Sequence, residues 1–182
     1  MLDEAKPQLV HPVCNEDHVK GAKDAVVTIV EYGDYECPSC ANAIPVLDRL
    51  IEDFHDQLCV AFRHFPMNSV HAHAGVAAEA AECAAAQGKF WEMHHLLYKH
   101  QQELCDIDMA SLAVRAELDL YKFNHDLANH TYEARIAEMR TLGEKSGVTG
   151  TPVLFLNSIR YVGSIHPLSI RQDIESLLET SS

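Results

Sequence analysis

"AVVTIVEYGDYECPSC", residues 25–40, runs from an apolar stretch through a short polar turn into two cysteines three positions apart. Its opening, "AVVTIVE" (25–31), is β-branched and almost continuously apolar, the pattern of a strand covered on both faces. After the turn, Pro38 stands where a helix begins, because a first-turn residue has no intrahelical N–H bond to lose. Cys40, Ile44, Leu47, Ile51 and Phe54 then recur at spacings of four and three, which puts them on one helical stripe. Cys40 therefore falls on the packed face, and Cys37 sits one turn earlier at the helix mouth. Pro45 is expected to bend this helix without ending it.

Working outward, "LCVAFRHF" (58–65) reads as a second strand, giving strand, helix, strand. Residues 71–147 carry no strand signal. Their segments "HAGVAAEAAECAAAQ", "KFWEMHHLLYKHQ", "DMASLAVRAEL" and "TYEARIAEMRTLGEKSG" run at helical period, with Asp108 and Thr131 as expected caps of the last two. Four or five helices are expected there. After "GVTGTP" the β pattern returns as "VLFL", a turn at Asn157 and Ser158, and "IRYVG". A closing helix is expected to turn Leu168, Ile174 and Leu177 inward. The chain thus divides into an α/β unit formed by 12–70 with 148–180, a helical insertion over 71–147, and an N-terminal extension over 1–11.

A chain of 182 residues suits one domain and can build a core without disulfides. Its formal charge of −13, with no basic patch, argues against a nucleic-acid partner, which needs clustered Lys and Arg. No apolar run approaches the roughly 18 residues of a membrane span. The first residues, "MLDEAKPQLVHPVCNEDHVK", hold acids and a proline where a signal peptide would be basic and then apolar, so a cytoplasmic location is expected. In that reducing setting Cys14, Cys59, Cys83 and Cys105 are read as free thiols, Cys59 and Cys83 as inert core groups. Cys14 and Cys105 lie in less regular segments, where pairing or relay stays open.

A thiol attacks a disulfide only as thiolate, so a redox cysteine needs a lowered pKa. The free N–H groups and positive dipole end of a helix N-terminus supply that at Cys37. Cys37 is accordingly assigned as nucleophile and Cys40 as the buried resolving thiol. Two other readings of the pair stay open at this level: small buried hydrophobes, or half of a zinc site. Structural zinc wants a second ligand pair, yet there is no second CxxC, and the twelve histidines form neither HxxxH nor HExxH. His71 and His73 are two apart and His94 and His95 adjacent, so most histidines are read as surface or capping residues. No metal and no organic cofactor is expected. Glu31 ends the apolar run. Burial there would raise its pKa and suit it to exchange a proton with Cys40, whereas a solvated strand end would leave it ordinary.

The segments "DHVKGAKDAVVTIVEYGDYECPSC", "FRHFP", "QGKFWEMHHLLY" and "SGVTGTPVLFLN" together resemble the DsbA-like thiol-disulfide oxidoreductases of the thioredoxin superfamily over about residues 12–178. The resemblance implies an α/β class, thioredoxin-like fold with an all-helical subdomain inserted between β-α-β and β-β-α halves. It implies a redox centre Cys37-Pro38-Ser39-Cys40 and a buried acid at Glu31. At Thr151-Pro152 it implies a cis-proline loop that faces the cysteines and pairs with substrate backbone. The implied partners are cysteine-containing polypeptides or low-molecular-weight thiols and a redox recycling partner.

Ser39 departs from the strongly oxidising members, which have histidine there. Serine brings no cation, so Cys37 is expected to titrate nearer a thioredoxin-like value of about 7 than the extreme of about 3.5. Two further readings use the same residues: a redox-sensing module that titrates without turnover, and a kappa-class glutathione transferase or isomerase relative. Members of that last branch usually have serine where this chain has Cys37.

Overall fold

The computed structural model describes residues 7–180. Most of the expected N-terminal extension, 1–6, lies outside them. Residues 7–11 lie along the sheet edge: Gln8 bridges to Ile159, and Leu9 is buried and donates its N–H to the Ser158 carbonyl at 2.8 Å.

Five strands form one sheet: β1 (His18–Gly21), β2 (Val27–Gly33), β3 (Leu58–His64), β4 (Val153–Leu156) and β5 (Ile159–Arg160). Their order is β1-β3-β2-β4-β5, with β2 and β3 parallel and the other neighbours antiparallel. Helix α1 (Pro38–Phe54) joins the parallel pair, as such pairs require a crossover. Val27 and Ile29 meet Leu47, Leu50 and Phe54 of α1 on one face, joined there by Ile170 and Ile174 of α7 (Pro167–Thr180). Val30 and Tyr32 point to the opposite face, against Phe65, Val148 and Phe155. With both faces covered, β2 has no solvated side, hence its unbroken apolar run. Glu31 shares the face of Ile29 by the two-residue period, which puts its carboxylate on the α1 side.

Between β3 and β4 the chain forms α2 (Ala74–Ala85), α3 (Phe90–Lys99), α4 (Met109–Arg115), α5 (Leu120–Ala128) and α6 (Glu133–Lys145). Alanine side chains let α2 pass through the middle of this group, in contact with α3, α4, α5 and α6. Asp108 caps α4 by accepting from the Ala110 N–H at 3.0 Å, and Asp119 caps α5 by accepting from Lys122 N–H at 3.0 Å. No helix among the described residues is long and apolar enough to cross a membrane.

Several expectations need correction. Strand β2 does not end at Glu31 but continues through Tyr32 and Gly33. The buried stripe of α1 is Cys40, Ala43, Leu47, Leu50 and Phe54. Ile44 and Ile51 flank it, half-buried against the helical group and the sheet cluster. As expected, the helix does not end at Pro45. Thr131 does not cap α6. Its N–H bonds to the Asp126 carbonyl at 3.0 Å and so completes the turn after α5, leaving Tyr132 to precede α6 without a side-chain cap. Leu168 is 65% exposed, because it lies two positions from Ile170 and faces away from the Ile170, Ile174 and Leu177 line. "IRYVG" yields only a two-residue strand, following a tight turn in which Asn157 and Ser158 both have positive φ. Strand β1 was not expected at all.

Gly143 shows how closely α6 approaches the sheet. A Cβ there would stand 2.8 Å from the Tyr32 ring and 2.9 Å from Phe65. Alanine normally stabilises a helix interior by about 1 kcal/mol relative to glycine. Here Gly143→Ala is expected to destabilise by about 1–3 kcal/mol through overpacking, read as a lower urea midpoint at unchanged m-value.

Candidate active site

Strand β2 delivers the chain to Asp34, whose carbonyl accepts the Cys37 N–H at 3.1 Å and so turns the backbone into α1. Cys37 occupies the N-cap position with extended dihedrals, φ −78 and ψ 117, and Pro38 opens the helix. Cys37 is 7% exposed and Cys40 fully buried, while Pro38 and Ser39 between them face solvent. Both cysteines are free thiols. Across from them lies the Thr151–Pro152 peptide, which is cis. Cys37 Sγ lies 3.3 Å from the Thr151 carbonyl oxygen.

The two thiols differ sharply in acidity. The hydrogen bond from the Cys40 thiol does most to lower the Cys37 pKa, with the Thr151 side chain and the N–H groups of Cys40 and Ser39 adding to it against burial, which raises it; the result is about 5. That is lower than expected from Ser39's lack of charge, and the neighbouring thiol and helix N–H groups supply much of the stabilisation. The same hydrogen bond, then burial and the charge of Glu31, push the Cys40 thiol far up.

Glu31 is 1% exposed, its Oε1 has no hydrogen-bond partner, and burial first, then the charges of Cys37 and Asp48, raise its pKa to about 8. Its burial follows from register: β2 is paired on both sides, with Phe62 of β3 and Leu154 of β4 opposite Glu31.

The helical group reaches this site through residues to which the sequence assigned no role there. Gln101 donates its side-chain N–H groups to the Tyr35 and Cys37 carbonyls, at 2.8 and 3.0 Å. The Tyr98 hydroxyl donates to the Asp34 carbonyl at 3.4 Å, and the Tyr35 hydroxyl meets His94 Nδ1 at 3.1 Å. Asp34 Oδ2 lies 2.9 Å from His71 Nδ1, and Glu36 Oε1 lies 3.1 Å from His73 Nδ1. A glutamine or tyrosine at helical spacing carries no sign of such a partner, so local pattern had no means of finding them.

The histidines also depart from their expected places. His64 and His94 are buried, and burial lowers the pKa of each. His18 Nε2 and His64 Nε2 converge on Glu82 Oε1 at 2.7 and 3.1 Å, the donor set among the described residues most suited to a cation. Glu82 already has its charge answered by Arg135, whose Nε donates to Oε2 at 2.9 Å. The group therefore reads as a closed hydrogen-bonded cluster. Cys59 and Cys83 are buried, and Cys14 and Cys105 are exposed free thiols.

Sheet, crossover helix and cis-proline loop define a thioredoxin-like fold carrying an elaborate set of helices. A family model described as thioredoxin matches residues 14–176, and the chain belongs to that family. The fold is shared with BdbD from Bacillus subtilis in its oxidised form, at a TM-score of 0.81 and 23% identity over 96% of this chain and 97% of that one. The thiol-disulfide exchange protein alpha-DsbA2 from Wolbachia pipientis shares it at 0.78 and 23% identity over 90% and 88%. Among curated relatives, "Na(+)/H(+) antiporter NhaA 1" of Salinispora arenicola is 47% identical over 150 residues, covering 82% of this chain and 23% of that protein. The chain thus spans about a quarter of the length of such relatives.

The Glu31 shift makes stability depend on pH. With its pKa raised from 4.5 to about 8, the folded protein holds a proton that the unfolded chain has lost, so Glu31 lowers stability as pH climbs through that window. Glu31→Gln removes this loss. In urea unfolding of the reduced protein, the advantage of Glu31→Gln over wild type is expected to grow by about 1.4 kcal/mol per pH unit across it. A difference that stays constant with pH would show Glu31 to be an ordinary carboxylate.

Proposed function

We propose that this domain is a thiol-disulfide oxidoreductase working through Cys37 and Cys40. The observation that carries the reading is the division of acidity between the two thiols at one helix mouth, Cys37 lowered to about 5 and Cys40 raised. At neutral pH Cys37 is a thiolate and Cys40 keeps its proton. Position alone separates attacker from resolver.

Acting as a reductant, the Cys37 thiolate attacks one sulfur of a partner disulfide. A mixed disulfide forms, and the partner's other sulfur leaves as thiolate and takes a proton from water. Cys40 then gives its proton to Glu31, in the fraction where Glu31 is ionised, and attacks Cys37 Sγ. The second partner sulfur leaves as thiolate, and the Cys37–Cys40 disulfide holds the two-electron oxidation. Oxidation of a dithiol runs the same steps backwards. The Thr151 carbonyl beside Cys37 serves as an acceptor for the N–H of an extended partner backbone, and Pro152 shapes that wall. The partners this suits are cysteine-containing polypeptides or small thiols, with a second redox protein to restore the starting state.

A second reading, a redox-sensing module, is favoured by one specific finding: the match to about a quarter of relatives named Na(+)/H(+) antiporters. A segment within such a protein could use the same couple to adjust its neighbour. The cytoplasmic placement is not carried forward, because a domain of that kind takes its compartment from the rest of its protein. The kappa-class glutathione transferase reading loses ground to the intact cysteine pair.

Turnover separates enzyme from sensor. The wild type is expected to reduce insulin repeatedly with an external thiol, and Cys37→Ser to lose that activity by about 100-fold or more. Cys40→Ser should accumulate mixed disulfides through Cys37 in cell extract. A wild type that exchanges one equivalent and stops would favour the sensor.

A further inference from the structure

Ser39 faces solvent and brings no charge to the cysteine pair. An imidazole on another element nevertheless bears on the site. His71 follows β3, and its Nδ1 lies 2.9 Å from Asp34 Oδ2, the oxygen that also accepts the Met67 N–H at 2.8 Å. The Met67 carbonyl accepts the N–H groups of Val70 and His71, both at 2.9 Å, closing the turn that carries the imidazole. Two short bond paths tie this turn to Cys37. One runs through Asp34, whose carbonyl accepts the Cys37 N–H at 3.1 Å. The other runs from the Met67 sulfur, 3.8 Å from the Thr151 hydroxyl, to the Thr151 carbonyl, 3.3 Å from Cys37 Sγ.

We propose that His71 is a positioning residue of the redox centre: its imidazolium, aimed by Asp34, stabilises the Cys37 thiolate and supplies the positive charge that Ser39 lacks. This rests on the reading of Cys37 as the attacking thiol. The groups around the imidazole suit the role. The hydrogen bond to Asp34 comes first, and the charges of Asp34, Cys37 and Glu36 add to it, outweighing partial burial, so that His71 holds its proton more firmly than an ordinary histidine. His73 is engaged by Glu36 through both its N–H and its ring. On the α6 side, Arg140 donates to the Pro66 carbonyl at 2.7 Å and stacks over Phe65. Coupling between two titrating groups is reciprocal: a thiolate that strengthens proton binding at His71 is itself favoured, to the same degree, by the imidazolium. A disulfide has no charge to give, so reduction of the pair is linked to proton binding at His71.

The test is the pH profile of Cys37 alkylation by iodoacetamide in the reduced full chain, together with the equilibrium of the pair in glutathione buffers. His71→Gln is expected to raise the Cys37 pKa by about 0.5–1 unit, three- to tenfold less thiolate at a pH below it, and to make the couple more reducing. His71→Lys keeps a cation beside Asp34 and should restore the wild-type value. The His71 side chain is 23% exposed, so an unchanged urea midpoint is the check that both variants fold. A low wild-type pKa that His71→Gln leaves in place, or an equal rise in both variants, would overturn the role of charge at His71. A wild-type Cys37 that titrates like an ordinary thiol would instead remove the function proposed above, and this inference with it.

Discussion

Asp34 accepts five hydrogen bonds, and the site depends on them: its carbonyl takes the Cys37 N–H and Tyr98 hydroxyl, and its carboxylate takes the N–H groups of Glu36 and Met67 and the His71 ring. The residue is 2% exposed, so its charge is tolerable only because these donors surround it. The donors come from the start of α1, from α3 and from the turn after β3. Satisfying the carbonyl and carboxylate of this one buried residue therefore holds three separate parts of the chain around Cys37.

Glu31, three residues earlier on the same side of the sheet as α1, is the opposite case. Its Oε1 has no partner, and the cost of burying a charge there appears as a pKa raised to about 8. Within a few residues the fold thus places one carboxylate surrounded by hydrogen-bond donors and one whose pKa burial raises to about 8. The first organises backbone; the second lies close enough for its charge to raise the Cys40 pKa.

Buried polar clusters also join the helices to the sheet. Glu82 of α2 meets His18 of β1, His64 of β3 and Arg135 of α6. On the other side, Arg63 of β3 is 2% exposed and donates to Asp17, to the His11 and Pro12 carbonyls and to the Tyr32 hydroxyl. These bonds hold the 11–17 segment against the sheet before β1 begins. β1 itself was invisible in the sequence because "HVKG" is short, half-exposed and carries a lysine, the usual composition of a guarded edge. The α1 stripe was misplaced by one position at Ile44 and Ile51, since large apolar residues can flank a contact face while a small one such as Ala43 occupies its centre.

What the sequence determined by itself was local: the β-branched run of β2, Pro38 opening a helix after Cys37, the Asp108 cap, and the order of strands and helices from β2 onward. Each depends on residues within one or two turns of one another, where propensity and periodicity act directly. Only the tertiary structure decided that β2 lies between β3 and β4, which buries Glu31, and that His71, Gln101 and Thr151 meet around Cys37. Those relations join residues more than a hundred positions apart, as between Cys37 and Thr151. They arise because buried donors and acceptors must find partners wherever the sheet and helices bring the chain together.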